Sequence, residues 1–299
     1  MKKKLIFGFF LVSIVSNAQQ VLFENNNSAL LLMNPSFAGT SGGTRLQTNA
    51  FAANVTQSFR SVKMNTSVDH FFESANAGIG CSISMQNFKF LAQTDMTLNW
   101  AQHIQLSHKR VKLIPSVIFG MRRIAIDPSL FSSSSQPAPQ PKLVRTNALI
   151  GASVLLEIYE RLYVGVVVRD IDLLTDQNAN SSLFKIPVSR SFHISYNLQL
   201  SKSDLLQAVF RYTNSLSFGT TQIGANYLHK CVLIGAGINA YDASYLQLGF
   251  KQSRLTASMQ AVVVHSRLAG NHKPSFGVNI AATFNEPRVA PAWKSIETW

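Results

Sequence analysis

The sequence predicts an all-β chain, a transmembrane antiparallel up-and-down β-barrel of about 14 strands with an N-terminal segment packed at or in its periplasmic mouth. Three observations carry that reading. Apolar and polar residues alternate almost without pause from Thr44 to Phe284. Charged residues are 14% of the chain while hydrophobic ones are 46%, and few charges at ordinary hydrophobicity suit a barrel whose lipid face is balanced by an uncharged polar lumen. Third, the connections that fall on one end are all short, whereas the longest ones fall on the other.

The chain begins with a basic Met1–Lys4 stretch, an apolar run over 5–15, and the small residues Ser16, Asn17 and Ala18. This is the pattern of a secretory signal peptide over 1–18, too short in its apolar part to span a bilayer comfortably. Residues 19–43 carry no period of two. They hold four bulky apolar residues, Leu30, Leu31, Leu32 and Met33, and then Asn34, Pro35, Ser36, Phe37, Ala38 and Gly39. Pro35 drives Asn34 out of the helical region. A solvated tail has no use for such a run, so 19–43 reads as a plug, with Asn34, Pro35, Phe37, Ala38 and Gly39 as its motif. Gly42 and Gly43 read as the turn into the barrel.

The barrel itself spans 44–284. Strands are expected at 44–53, 62–71, 77–86, 93–106, 112–124, 147–156, 161–170, 189–200, 205–213, 218–228, 231–240, 245–251, 255–265 and 275–284. Most have roughly the ten-residue length that a tilted membrane strand needs. In the hairpin over 147–170, Leu162, Val164, Val166 and Val168 belong to the lipid face, and Tyr163 and Arg169 to the lumen. The even-numbered connections (72–76, 107–111, 157–160, 201–204, 229–230 and 252–254) are the short periplasmic turns. Tyr159, Tyr163, Tyr227, Phe71 and Phe72 lie beside them, where an interfacial aromatic girdle belongs. The long connections 125–146, 171–188 and 266–274 then face outside. Within the first, 132–141 is Ser/Pro-rich. Residues 285–299 contain Pro287 and Pro291, do not alternate, and form a tail.

The net charge is +13; removing Lys2, Lys3 and Lys4 leaves 24 basic residues against 14 acidic ones. No basic cluster sits on a helix or zinc module, so nucleic acid is not indicated; an anionic membrane surface or solvated loops account for the balance. Cys81 and Cys231 lie in two distant strands and read as small apolar side chains rather than a bridge. No Cys/His ligand pattern marks a metal site, and no cofactor is implied. Catalysis finds no support either. His193 lacks a strained elbow or an oxyanion motif and reads as a hydrogen-bonded lumen residue, while Asp69 and His70, adjacent on a strand, point to opposite faces.

Six charges fall on lumen positions: Lys63, Asp69, Asp95, Arg122, Arg169 and Arg211. They form either a network of mutually satisfied ion pairs or a surface for a permeating ion or threaded segment. Gly78, Gly80, Gly235 and Gly237 are strand glycines, which signal curvature or the close approach of another backbone.

Taken together, the Asn34–Gly39 stretch, Ile126-Asp127 with Leu130, Tyr163-Val164-Gly165, and the run from Ile186 to Phe192 resemble the PorP/SprF family of type IX secretion outer-membrane proteins. The resemblance covers nearly all of the mature chain. It departs at 55–60, where an aromatic-rich hairpin is usual, and at Lys273-Pro274, where an acidic residue often stands. What the resemblance implies is a non-enzymatic barrel of the bacterial outer membrane. Such a barrel would help deliver or retain proteins bearing a C-terminal sorting domain, gliding adhesins among them. Its implied partners are that cargo, the periplasmic ring and peptidoglycan-binding components of the machine, and outer-membrane lipid. A passive porin-like channel is the alternative, since polar lumen faces suit it equally, and an outer-membrane hydrolase is a third possibility.

Overall fold

The computed structural model describes residues 29–53, 61–87, 91–107, 110–127, 143–173, 186–215, 218–239, 243–252, 254–264 and 275–284. The expected signal peptide, residues 19–28 of the expected plug segment, the Ser/Pro-rich stretch 132–141 and the tail after Phe284 lie outside the described residues. The alternation of the sequence is realised as β1 (Thr44–Ala53), β2 (Ser61–Phe72), β3 (Ala77–Asn87), β4 (Leu91–Gln102) and β5 (Ile104–Ser107). There follow β6 (Val111–Ile126), β7 (Leu143–Ile158), β8 (Leu162–Asp172), β9 (Ser189–Gln199) and β10 (Asp204–Ser215). The wall ends with β11 (Phe218–His229), β12 (Val232–Asn239), β13 (Ala243–Gln252), β14 (Leu255–Val264) and β15 (Ser275–Phe284).

All pairings are antiparallel, and the sheet closes because β1 pairs with both β2 and β15 while β4 pairs with β6. β5 is the continuation of β4 along β6, since Ala101 opposite Ser116 and Ile104 opposite Leu113 keep one register. The gap between them falls opposite Pro115, which has no amide hydrogen to give to a ladder. Gln102 stands across from Pro115, and the next residue, His103, donates its amide to the Asn76 carbonyl at 2.9 Å on the β3 side. The barrel therefore has fourteen strands, as the sequence leads one to expect. Its turns are tight where they are short: Tyr159 and Glu160 both take positive φ, 52° and 55°, in a turn that the Arg161 amide closes onto the Ile158 carbonyl at 3.0 Å.

Each strand presents one row inward. On β2, Asn65, Ser67 and Asp69 are buried while Met64 and Val68 are exposed. On β8, Tyr163 and Val167 are buried and Val166 is half exposed to the outside. Outward rows carry Leu98, Phe119, Ile234, Leu246, Leu248 and Ile280, an apolar band that water would not tolerate and lipid would. Cys81 and Cys231 are free and exposed, the first on the outer face of β3 and the second in the turn before β12 rather than in the strand expected for it. Trp100, Tyr159, Tyr196, Phe250 and Phe284 ring the short-turn end. Two expected girdle members do not join them: Tyr163 is 2% exposed and points inward, and the Phe71 ring lies 5.0 Å from that of His103, on the inner side. Both sit on the lumen parity of their strands, which decides direction more strongly than nearness to a turn.

A bulge interrupts the alternation of β8. On β8, Arg169 and Asp170 together oppose Gly151 of β7, because the register passes from Ala152 opposite Val168 to Ile150 opposite Ile171. Asp170 takes φ 67° to make this bulge. A β-carbon on Gly151 would stand 2.7 Å from the Val168 carbonyl and 3.0 Å from the Arg169 Cα, so the bulge needs glycine across from it. Beyond it the parity of β8 is reversed. Asp172 pairs with lumen-facing Leu149, and Ile171 with outward Ile150.

Candidate functional site

The N-terminal segment lies inside the barrel at the short-turn end. Leu30–Met33 forms a single helical turn and Pro35–Phe37 a 3-10 turn, joined by Asn34 in extended conformation (φ −152°) as Pro35 demands. The Asn34 side chain caps the second turn by accepting from the Ser36 amide at 2.9 Å. Leu30, Leu31, Met33, Phe37 and Ala38 share one apolar cluster with wall residues Ala101, Ile114, Leu155 and Tyr163. All five proposed motif residues, Asn34, Pro35, Phe37, Ala38 and Gly39, are buried there.

The polar contacts of the segment reach strands on several sides. Gly39 N–H donates to Asp69 Oδ2 at 2.8 Å, while Arg45 Nε donates to Asp69 Oδ1 at 2.8 Å and its Nη2 to the Phe37 carbonyl at 2.8 Å. Ser36 Oγ meets Ser153 Oγ at 2.8 Å and Ser116 Oγ at 3.3 Å, and those two lie 2.6 Å apart. His103 Nε2 lies 2.9 Å from the Ala38 carbonyl. Arg169 donates to the carbonyls of Leu32 and Met33, the open C-terminal end of the helical turn, where a cation is favoured. Glycines make the room. A β-carbon on Gly78 would fall on the Ala38 carbonyl, and one on Gly80 would stand 2.9 Å from Leu31 Cδ1. Gly78 thus marks the close backbone approach expected of it, whereas Gly235 and Gly237 accommodate the side chains of Asn226 and Tyr245.

The rest of this end is sealed by the wall. Leu205 and Leu233 pack with Leu228, and Arg45, Tyr163, Thr256 and Thr283 are each at most 2% exposed. A water-filled entrance would leave these inward side chains accessible. Toward the long-loop end, Lys63, Asp95, Arg122 and Asp170 are half buried and line a vestibule on one side, while Ala243, Tyr245 and Val262 pack with Phe51 on the other. The lumen is a cup.

The six lumen charges separate into different roles. Asp69 is a plug anchor, and its partner Arg45 was not among the expected residues. Asp95 and Arg122 do form an ion pair, with Arg122 Nε to Asp95 Oδ1 at 2.7 Å, and Arg122 also reaches Asp170 Oδ1 at 2.9 Å. Arg169 holds backbone carbonyls rather than a carboxylate. Lys63 lies within electrostatic reach of Asp95, Arg122, Arg169 and Arg211. Arg211 departs from a fully satisfied network: it is 7% exposed and its Nε has no hydrogen-bond partner among the described residues. His193 also differs from its expected hydrogen-bonded state. It is fully buried, neither ring nitrogen is bonded among the described residues, and its ring fits over Gly165 and 5.6 Å from that of Phe37. Missing a β-carbon at 165 is what lets it lie there. Arg45, Asp170, Ser36, Ser116, Ser153 and His103 escaped notice because single inward polar residues look alike until a partner faces them. Among the described residues, no three His, Cys, Asp or Glu side chains gather as a metal site would require.

Comparison with solved structures places the chain among outer-membrane barrels. The Ralstonia pickettii toluene transporter TbuX is 10% identical, with 86% of this chain and 94% of that one covered, at a TM-score of 0.52. The monoaromatic hydrocarbon channel CymD is 11% identical over 86% and 93%, at 0.51. The Acinetobacter baumannii protein Omp33 is 7% identical over 81% and 98%, at 0.49. These identities speak to the fold alone. No curated protein sequence matches the chain. A family model, type IX secretion system membrane protein PorP/SprF, matches residues 15–281. With the match running through the plug motif and almost the whole barrel, this outer-membrane protein belongs to the PorP/SprF family.

Proposed function

We propose that the barrel assists the secretion or surface attachment of proteins carrying a type IX C-terminal sorting domain, by binding protein partners and without catalysing a reaction. The family supports this reading, and one observation carries it: the short-turn end of the lumen is filled by the chain's own residues 29–43. A diffusion pore needs a continuous water path, and a lumen closed at one end has another use. The half-buried vestibule and the long loops around it are then the surface for cargo. The short turns face the periplasmic ring and peptidoglycan-binding components of the machine.

The test is affinity capture from solubilised outer membrane, with identification of what is retained. Recovery of sorting-domain proteins or ring components is the expected result; a clean preparation with neither would defeat the proposal. A porin-like channel is the second reading. Its support is the uncharged inward row Asn65, Asn49, Asn279 and Ser258, which runs across four adjacent strands away from the plug. Planar-bilayer recording separates the two, since stable open conductance of the wild-type protein favours the channel.

A further inference from the structure

The floor of the vestibule holds a concentration of polar atoms that the plug contacts do not use. Gly165, His193 and Arg211 stand side by side on β8, β9 and β10, and Ser191 is the next inward residue of β9 toward the long loops. His193 is 0% exposed, Ser191 6% and Arg211 7%. Arg211 Nε, Ser191 Oγ and both His193 nitrogens have no hydrogen-bond partner among the described residues.

A buried guanidinium is costly unless an acceptor meets it. The Nε of Arg211 meets none among the described residues. The charges within electrostatic range of Arg211 are themselves cationic, Arg169 and Lys63. The vestibule carboxylates Asp95 and Asp170 are held by Arg122 and also act on Lys63 and Arg169. Arg169 cannot turn away, because it holds the Leu32 and Met33 carbonyls. The result is a group of cationic side chains beside unbonded donors, next to the half-buried vestibule charges.

We propose that Arg211, Ser191 and His193, with Arg169 and Lys63 supplying field, form a binding site for a small oxyanion, a carboxylate or phosphate group entering from the vestibule. The planar guanidinium presents paired donors to two oxygens of such a group. The Ser191 hydroxyl gives a third hydrogen bond, and a His193 N–H a fourth. Chloride or a neutral sugar would leave much of this donor set unanswered. The site lies on the vestibule side of the plug and does not depend on the secretion reading.

Thermal unfolding of the detergent-solubilised full-length protein tests it, with inorganic phosphate and, separately, acetate titrated at constant ionic strength set by sodium chloride. Wild type should show a saturable rise in its unfolding temperature. Arg211→Met should weaken the half-saturating concentration roughly ten- to hundredfold, the value of a charge-assisted hydrogen bond, and Ser191→Ala about two- to tenfold. Arg211→Lys keeps the charge without the fork and should fall between wild type and Arg211→Met. If Arg211→Met does not fold, the Lys and Ala variants carry the comparison. An unresponsive wild type overturns the proposal. So does a shift that is the same in wild type and in every folded variant, which would mean an adventitious ion only.

Discussion

Replacing Asp69 with Ala isolates the joint between plug and wall. Asp69 is 3% exposed and accepts from the Gly39 amide and from two nitrogens of Arg45, itself 1% exposed. Removing the carboxylate leaves a buried guanidinium without its counter-charge, while its Nη2 still donates to the Phe37 carbonyl. Breaking a buried pair from one side costs about 3–5 kcal/mol. Asp95→Ala is the internal control. There Arg122 keeps Asp170 at 2.9 Å and is already 15% exposed, so on the order of 1 kcal/mol is expected. Urea unfolding of the protein reconstituted in lipid vesicles, followed by tryptophan fluorescence, measures both. The double variant Arg45→Met/Asp69→Ala removes the stranded charge and should recover much of the Asp69→Ala loss. An Asp69→Ala barrel within about 0.5 kcal/mol of wild type, the range of surface changes, would refute the anchoring argument. A double variant worse than the sum of the singles would refute the stranded-charge argument.

Gly78→Val should leave the wall intact but displace the plug, because the added side chain occupies the Ala38 carbonyl position; proteolysis within residues 29–43 and a gain of bilayer conductance are the readouts, and wild-type protection in both contradicts it. Val166→Arg puts a charge on the outward face near the middle of β8 and should cost about 2–4 kcal/mol in the same urea assay. Normal insertion of that variant, with failure of Val167→Arg, would mean the faces are reversed. Cys81 points outward in the middle of β3, so in a Cys231→Ser background a membrane-impermeant maleimide should label it in denaturant and not in intact vesicles. Rapid labelling in vesicles would place that face in water.

Much of this architecture is readable in the chain because a barrel repeats one rule. Parity assigns a side to every residue, and the strand list, the lipid face of β8 and the lumen placement of Lys63, Asp69 and Arg211 all follow from it. The plug was legible for another reason: apolar residues with no alternation must be buried somewhere other than a wall. What parity cannot supply is distance across the lumen. Asp69 finds Arg45 on the adjacent strand, but Arg122 finds Asp170 two strands away, and Ser36 meets Ser116 and Ser153 from a segment with no ladder. Tyr163 and Phe71 were assigned to the girdle by their closeness to turns, although their strand phase already turned them inward. The helical turn at Leu30–Met33 escaped because four residues are too few to show a period.

The bulge at Arg169 and Asp170 has a consequence for anyone exchanging segments between relatives. Were β8 regular, Asp170 and Asp172 would both face lipid and Ile171 the lumen; the added residue turns the two acids inward, where Arg122 and Asn147 receive them. Residues on the two sides of Gly151 are therefore counted in different phases. A loop grafted at Asp172 inherits the corrected phase and keeps its acids out of the bilayer. The same loop joined at Val168 after deletion of one bulge residue would arrive inside out, with every hydrophobic residue intact and each one on the wrong side.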